Sequence, residues 1–181
     1  MTGSELAKTV RIPLGFLLGI AYAAFARPTL GSLILGGAVA LLGVVVRAWA
    51  SGHIMKNDRL ATSGPYAHTR NPLYLGSFLI AAGFAGAAHW SLLIAVVAFF
   101  LVIYYPTMNR EIANIEGRFP EAYARYAAKV PLFFPRLSPW RGDPASTNRF
   151  DPGLYMKHGE WKAGLTYVLA MIWLAFRTLR S

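Results

Sequence analysis

Residues 64–76, GPYAHTRNPLYLG, concentrate groups that apolar runs normally exclude. Arg70, Asn71, His68, Tyr66 and Tyr74 stand with Pro65 and Pro72 at the mouth of an apolar segment. A second polar cluster follows the next apolar hairpin: Arg110 and Glu111, then FPEAYARYAAKV over residues 119–130. A guanidinium can grip a carboxylate through two parallel hydrogen bonds. A carboxylate such as Glu111 can accept from an ammonium or from hydroxyls. Tyrosine rings suit a planar heterocycle or an organic cation, through stacking and cation–π contact. Two such clusters flanking one helical hairpin predict a site at a membrane surface.

Each residue also has a plainer reading. Arg70 at a membrane boundary can serve as an anchor that snorkels to the headgroups. Glu111 can pair with Arg110 or another loop arginine. Tyr66, Tyr74, Tyr123 and Tyr126 can be interfacial belt residues. The histidines His53, His68, His89 and His158 match no H-x-x-x-H spacing, so no metal site is expected. The chain has no cysteine, which removes disulfides, thiolate zinc sites and cysteine nucleophiles together. No G-x-G-x-x-G, P-loop or G-x-S-x-G run occurs, so a soluble nucleotide-binding fold is not expected.

The elements that must position these groups follow from composition. The 181-residue chain is 55% hydrophobic and 14% charged, with a mean hydropathy of +0.40. A soluble domain carries nearer a quarter charged residues. The apolar residues gather into runs at 12–26, 30–50, 73–88, 90–108 and 161–176, the last the weakest. A spanning helix needs about 20 such residues, so the expectation is an all-α polytopic bundle of about five membrane helices. The net charge of +10 lies in loops beside these runs. The positive-inside rule accounts for most of it, and no nucleic-acid partner is expected. Both polar clusters then share the cytoplasmic side, and the third and fourth runs form a hairpin reaching outward past Ala88 and His89. Three regions are expected: N-terminal helices over 1–59, the motif-bearing hairpin over 60–136, and a linker with a C-terminal apolar helix over 137–181.

Local punctuation refines this. Gly15, Gly19, Gly36, Gly37 and Gly43 read as helix-packing surfaces. Ser63-Gly64-Pro65 is turn chemistry. Asn71-Pro72 marks a helix start, because the residue before proline avoids the helical region and proline suits the first turn. The free N–H groups of that turn could receive a ligand carboxylate. The fourth helix is expected to run past Pro106 and break at Gly117, with Pro120 starting a short helix. Residues 137–160 read as a polar linker that touches the membrane through Trp140, Phe150 and Tyr155.

The pattern G-P-Y-x-x-x-R-[HN]-P-x-Y-x-G, a hairpin, then E-(x7)-F-(x3)-Y-(x2)-Y-(x3)-V-(x4)-P resembles the isoprenylcysteine carboxyl methyltransferase family. That family belongs to a wider group of small membrane methyltransferases that includes phospholipid N-methyltransferases. The likeness covers about residues 60–135. It implies a cytosolic pocket for S-adenosylmethionine, lined here by Tyr66, Arg70, Asn71, Pro72, Tyr74, Leu75, Gly76, Glu111, Tyr123 and Tyr126. Arg70 and Glu111 take the catalytic roles, and an amphiphilic or prenylated acceptor enters from the lipid side. Three positions depart from the family's pattern: Asn71 replaces a His, Ile112 replaces a second acid, and Pro120 replaces a Gly.

The chemistry tolerates these departures. Displacement at a sulfonium releases a neutral leaving group, and a carboxylate acceptor is already ionised, so neither an acid nor a His base is required. An amine acceptor would have to lose a proton, with Glu111 as the candidate base. The expected protein is thus an integral membrane methyltransferase of the bacterial cytoplasmic membrane, its site facing the cytoplasm. It acts on a lipid-like or isoprenylcysteine-type carboxylate, with O-methylation favoured over phospholipid N-methylation. An NADPH-dependent membrane reductase of similar architecture and a non-catalytic membrane scaffold are the competing readings. The oligomeric state is left open.

Overall fold

The computed structural model describes residues 17, 19, 22, 26–54, 59–142 and 149–180. The expected span over 12–26 lies mostly outside them, although Leu17, Gly19 and Tyr22 are helical. Helix α1, Leu30–Ser51, opens on a reciprocal cap. The Ser32 N–H donates to Thr29 Oγ1 at 3.2 Å, and the Thr29 N–H donates to Ser32 Oγ at 3.0 Å. Such a cap satisfies two otherwise orphaned donors. Ser32 Oγ also donates to the Ala87 carbonyl at 2.9 Å, tying the start of α1 to the end of helix α2, Pro72–Ala88.

The glycines set how closely α1 and α2 approach. A Cβ on Gly36 would lie 2.4 Å from the Gly83 carbonyl oxygen, and one on Gly43 would lie 2.6 Å from that of Gly76. The two backbones are therefore in direct contact, which only glycine permits. Gly36 and Gly43 thus act as the packing surfaces expected of them, whereas no described atom lies within 4 Å of a Cβ on Gly19 and Gly15 lies outside the described residues.

Helix α3 runs 27 residues, Leu92–Arg118. Its middle turn, Phe100–Tyr104, is π-helical, and the Tyr105 N–H donates to the Phe100 carbonyl. This wide turn immediately precedes Pro106. A proline ring lacks an N–H and crowds the carbonyl four residues back, so a widened turn lets the helix continue. The break comes at Phe119 (φ −132°, ψ 56°), two residues after the expected one. Gly117 stays helical, and Pro120 forces the residue before it out of the helical region. Rings of Phe78, Phe100 and Phe133 fill the space beside α2 and α3, with both Phe78–Phe100 and Phe100–Phe133 centroids 5.1 Å apart.

Pro120 then starts helix α4, Pro120–Ala127. The described residues of the segment read as a membrane-touching linker pack on the protein. The Trp140 N–H donates to the Ala67 carbonyl at 2.9 Å, and its ring packs on Tyr126 at 5.4 Å. Phe150 lies against His53 and Tyr155, with centroids 6.2 and 6.3 Å away. A short helix α5, Pro152–Lys157, is capped by Asp151. Helix α6, Trp161–Arg180, lies along α1. Tyr167 Oη donates to the Gly37 carbonyl at 3.2 Å, and Arg177 Nη2 donates to the Ala26 carbonyl at 2.9 Å.

Among the described residues, α1, α3 and α6 are long and apolar enough to cross a membrane, and α2 is a shorter apolar helix. No strand occurs among those residues. The protein is an all-helical integral membrane protein. One core cluster joins Leu33, Ala87, Ala88 and Leu174 from α1, α2 and α6. A second joins Tyr123, Tyr126 and Val130 with Leu60, Ile112, Ile115 and Trp140 around it.

Candidate active site

The first polar cluster is sewn by hydrogen bonds to the end of the second and the residues just after it, about sixty positions on in the chain. The Arg70 N–H donates to the Pro131 carbonyl at 2.9 Å, and the Arg136 N–H donates to the His68 carbonyl at 3.0 Å. Thr69 Oγ1 donates to the Phe133 carbonyl at 2.9 Å. Asn71 Nδ2 donates to the Leu132 carbonyl at 3.1 Å. Tyr126 Oη, deeply buried, donates to the Tyr66 carbonyl at 2.6 Å. Gly64 allows the turn between: its φ is +58°, and a Cβ there would strike the His53 ring at 2.6 Å. A left-handed conformation of this kind is natural only to glycine.

Beside this stitching lies a cavity of about 460 Å³. Its wall includes Tyr66, Arg70, Asn71, Pro72, Tyr74, Glu111, Tyr123 and Tyr126, eight of the ten residues nominated from sequence. Leu75 and Gly76 are not in the wall. Gly76 instead faces α1, where a Cβ would lie 2.6 Å from Arg47 Cγ and 2.7 Å from the Gly43 carbonyl oxygen.

Within the cavity Arg70 and Glu111 are each held by a tyrosine. Arg70 Nη1 donates to Tyr123 Oη at 2.9 Å, with the guanidinium carbon 5.8 Å from that ring's centroid. The ring contact is at the outer limit of cation–π attraction, so the hydrogen bond is what orients the side chain. Tyr74 Oη donates to Glu111 Oε2 at 3.0 Å. Two polar atoms of the wall, Tyr66 Oη and Arg70 Nε, are buried without a hydrogen-bond partner. Tyr66 as a whole is 7% exposed. Burial pushes its hydroxyl well above the ordinary tyrosine pKa, with Tyr126, Glu111 and Glu160 adding and Arg47 opposing. Burial also raises Tyr126, against the pull of Arg70. Both hydroxyls are therefore neutral donors at neutral pH. Buried polar groups are nearly always paired; among the described residues Tyr22 Oη and Thr62 Oγ1 are orphaned as well.

Sequence reasoning missed Arg59, Leu60, Asn114, Ile115 and Arg118 in this wall. The signal for three of them was present: Asn114, Ile115 and Arg118 recur at helical spacing from Glu111 and so share its face. Arg59 and Leu60 carry no such signal. The histidines are engaged elsewhere. His53 Nδ1 lies 2.9 Å from the Trp49 carbonyl, His68 Nδ1 2.8 Å from that of Arg136, and His158 Nδ1 3.1 Å from that of Ser51. Among the described residues no group of three His, Cys, Asp or Glu side chains is placed to hold a metal ion.

The phospholipid methyltransferase family model matches residues 31–119. The chain is 38% identical over 118 residues to the cobalt-zinc-cadmium resistance protein CzcN of Cupriavidus metallidurans, covering 64% of this chain and 54% of that protein. It is 33% identical over 147 residues to the nickel-cobalt-cadmium resistance protein NccN of Alcaligenes xylosoxydans xylosoxydans, covering 76% and 68%. It is 28% identical over 146 residues to a protein-S-isoprenylcysteine O-methyltransferase of Schizosaccharomyces pombe, covering 75% and 61%. The matches thus span about half to two thirds of these relatives' lengths. No solved structure matches the chain.

Proposed function

Because the chain belongs to the phospholipid methyltransferase family, within the small membrane methyltransferases that resemble isoprenylcysteine methyltransferases, we propose that it methylates an amphiphilic acceptor with S-adenosylmethionine. The observation that carries this reading is the cavity shared by both motif halves, with its two orphaned buried polar atoms. Its volume of about 460 Å³ falls within the range typical of small-molecule sites.

The residues present suit that cofactor. Arg70, with Nε still unpaired, offers charge-assisted hydrogen bonds to a carboxylate. The first turn of α2, at Pro72, Leu73 and Tyr74, adds the positive end of a helix dipole. Glu111 accepts hydrogen bonds and favours a neighbouring cation. Tyr66, Tyr123 and Tyr126 provide aromatic surface, and Tyr66 provides a neutral donor. When bound, S-adenosylmethionine would supply an electrophilic methyl group on a sulfonium. The work left to the chain is placement and exclusion of water, and orientation alone can contribute up to roughly 7–11 kcal/mol.

The favoured acceptor is a prenylated thioether carboxylate, which needs no base. The matched family supports a lipid headgroup amine as the second reading. There Glu111, the one carboxylate among the lining residues, is the group able to take the proton. In both readings the cavity faces the cytoplasm of a bacterial inner membrane and the acceptor's tail stays in lipid. An NADPH-dependent reductase would need the same cavity to prefer a dinucleotide.

The test is thermal unfolding of the detergent-solubilised protein with S-adenosylhomocysteine and, separately, NADPH. A ligand at 100 times its Kd stabilises by about 2.7 kcal/mol. A rise with S-adenosylhomocysteine alone is expected, and a folded protein unmoved at millimolar ligand overturns the reading. A methyl-transfer panel of farnesylated N-acetylcysteine, phosphatidylethanolamine and short-chain analogues then separates the acceptors. Faster turnover of the short-chain analogues would sink entry from lipid.

A further inference from the structure

The segment beyond residue 119 lies outside the family model, and it sends one carboxylate back into the matched part. Glu160, at the foot of the apolar helix α6, grips Arg47 of α1 with both oxygens. Arg47 Nε donates to Glu160 Oε2 at 2.8 Å, and Nη2 donates to Oε1 at 2.6 Å. The side chains are 25% and 13% exposed. An ionisable residue inside a spanning helix is costly and is retained where it has a task.

The third nitrogen shows the task. Arg47 Nη1 donates to the Leu73 carbonyl at 3.3 Å and to Ser77 Oγ. Ser77 Oγ donates in turn to the same carbonyl at 2.9 Å. Leu73 and its neighbours Asn71, Pro72 and Tyr74 are cavity wall. The stem of Arg47 crosses α2 at Gly76, where a Cβ would meet Arg47 Cγ at 2.6 Å. The motif glycine is thus the notch through which Arg47 reaches the first turn of α2. Tyr66, another residue of the wall, feels the charges of both Arg47 and Glu160.

Glu160 holds this arrangement in place. A lone arginine near the end of a membrane helix relaxes toward the headgroups, and Arg47 freed of Glu160 would leave Leu73 and Ser77. We propose that Glu160 is a positioning residue: by fixing Arg47 it fixes the first turn of α2, and with it the cavity's affinity for its ligand. A part of the chain outside the family model thereby tunes a site built largely within it.

The test has two readouts, of which only the first rests on the cofactor reading. The first is the affinity for S-adenosylhomocysteine. The second is the maleimide reactivity of a single thiol, Leu73→Cys, introduced into the full cysteine-free chain. Glu160→Gln should weaken ligand binding about tenfold and change the thiol's reactivity severalfold. Arg47→Lys keeps a charge beside Glu160 but cannot fork to Leu73 and Ser77 as well. It should weaken binding similarly while the melting temperature stays near that of the parent. If the pair only docks α6, Arg47→Lys binds ligand and reacts like the parent, and the proposal falls. It also falls if folded Glu160→Gln matches the parent in both readouts. Should Glu160→Gln fail to fold, Arg47→Lys decides. If the parent binds no S-adenosylhomocysteine, the cofactor reading fails, and the thiol alone judges the positioning role.

Discussion

Removing the Arg70 guanidinium should cost ligand affinity far more than it costs the fold. Arg70 spends Nη1 on Tyr123 Oη and keeps Nε buried and unpaired. In the free protein, Arg70→Ala loses one hydrogen bond, worth about 0.5–1.5 kcal/mol net. It also removes a buried orphan donor, whose desolvation costs about 1–3 kcal/mol. The two terms oppose each other, so the melting temperature of the free protein should move by no more than about 2–4 °C. With ligand bound the terms no longer oppose. A charged hydrogen bond contributes about 1.5–3 kcal/mol, so the Kd should rise roughly 10- to 150-fold. Arg70→Lys keeps the charge without the planar fork and should fall between. Tyr123→Phe removes only the restraint on the guanidinium, and about two- to tenfold is expected from one neutral partner. Equilibrium binding of radiolabelled S-adenosylhomocysteine to detergent-solubilised protein, beside a melting curve for each variant, measures all of this. Parent-like binding by Arg70→Ala would refute the assignment of Arg70 to the ligand. A binding loss that merely tracks a collapse of the fold would refute the argument from the orphan donor.

Other outcomes follow from the packing and the stitching. Gly83→Val places a Cβ 2.4 Å from the Ala40 nitrogen and 2.5 Å from the Gly36 carbonyl oxygen. Neither backbone can yield, so a loss of about 1–3 kcal/mol or more is expected, seen as a lowered melting temperature. Gly86→Ala, with nothing within 4 Å, is the silent control. Asn71→His retains a ring N–H for the Leu132 carbonyl, and the cavity beside it offers room for the larger ring. Its ligand Kd should stay within about threefold of the parent, under 1 kcal/mol. Topology reporters placed after Gly142 and near Ala88 should read on opposite sides of the membrane, the former cytoplasmic. One shared side would break the hairpin assignment.

The local features of this protein are legible without coordinates. An apolar run must satisfy its own backbone in lipid, so helices follow from composition alone. Pro72 starts α2 and Pro120 starts α4 because proline acts on its own residue and the one before it. The motif residues that meet in the cavity were nominated by their resemblance to a methyltransferase motif, and Glu111 further marks the helix face that Asn114 and Arg118 share. Other features depend on partners remote in the chain, and no periodicity records those. Gly76 sits within the motif, yet its neighbours are Arg47 and Gly43 on α1. Trp140 resembles an interfacial anchor until its backbone meets Ala67. Gly117 is a weaker helix breaker than the residue before a proline, so the break falls at Phe119. Arg47 and Glu160 stand 113 positions apart, and each alone reads as a boundary charge. Packing α6 against α1 makes them one bidentate pair, because a charge withdrawn from water must find its opposite in space rather than in sequence.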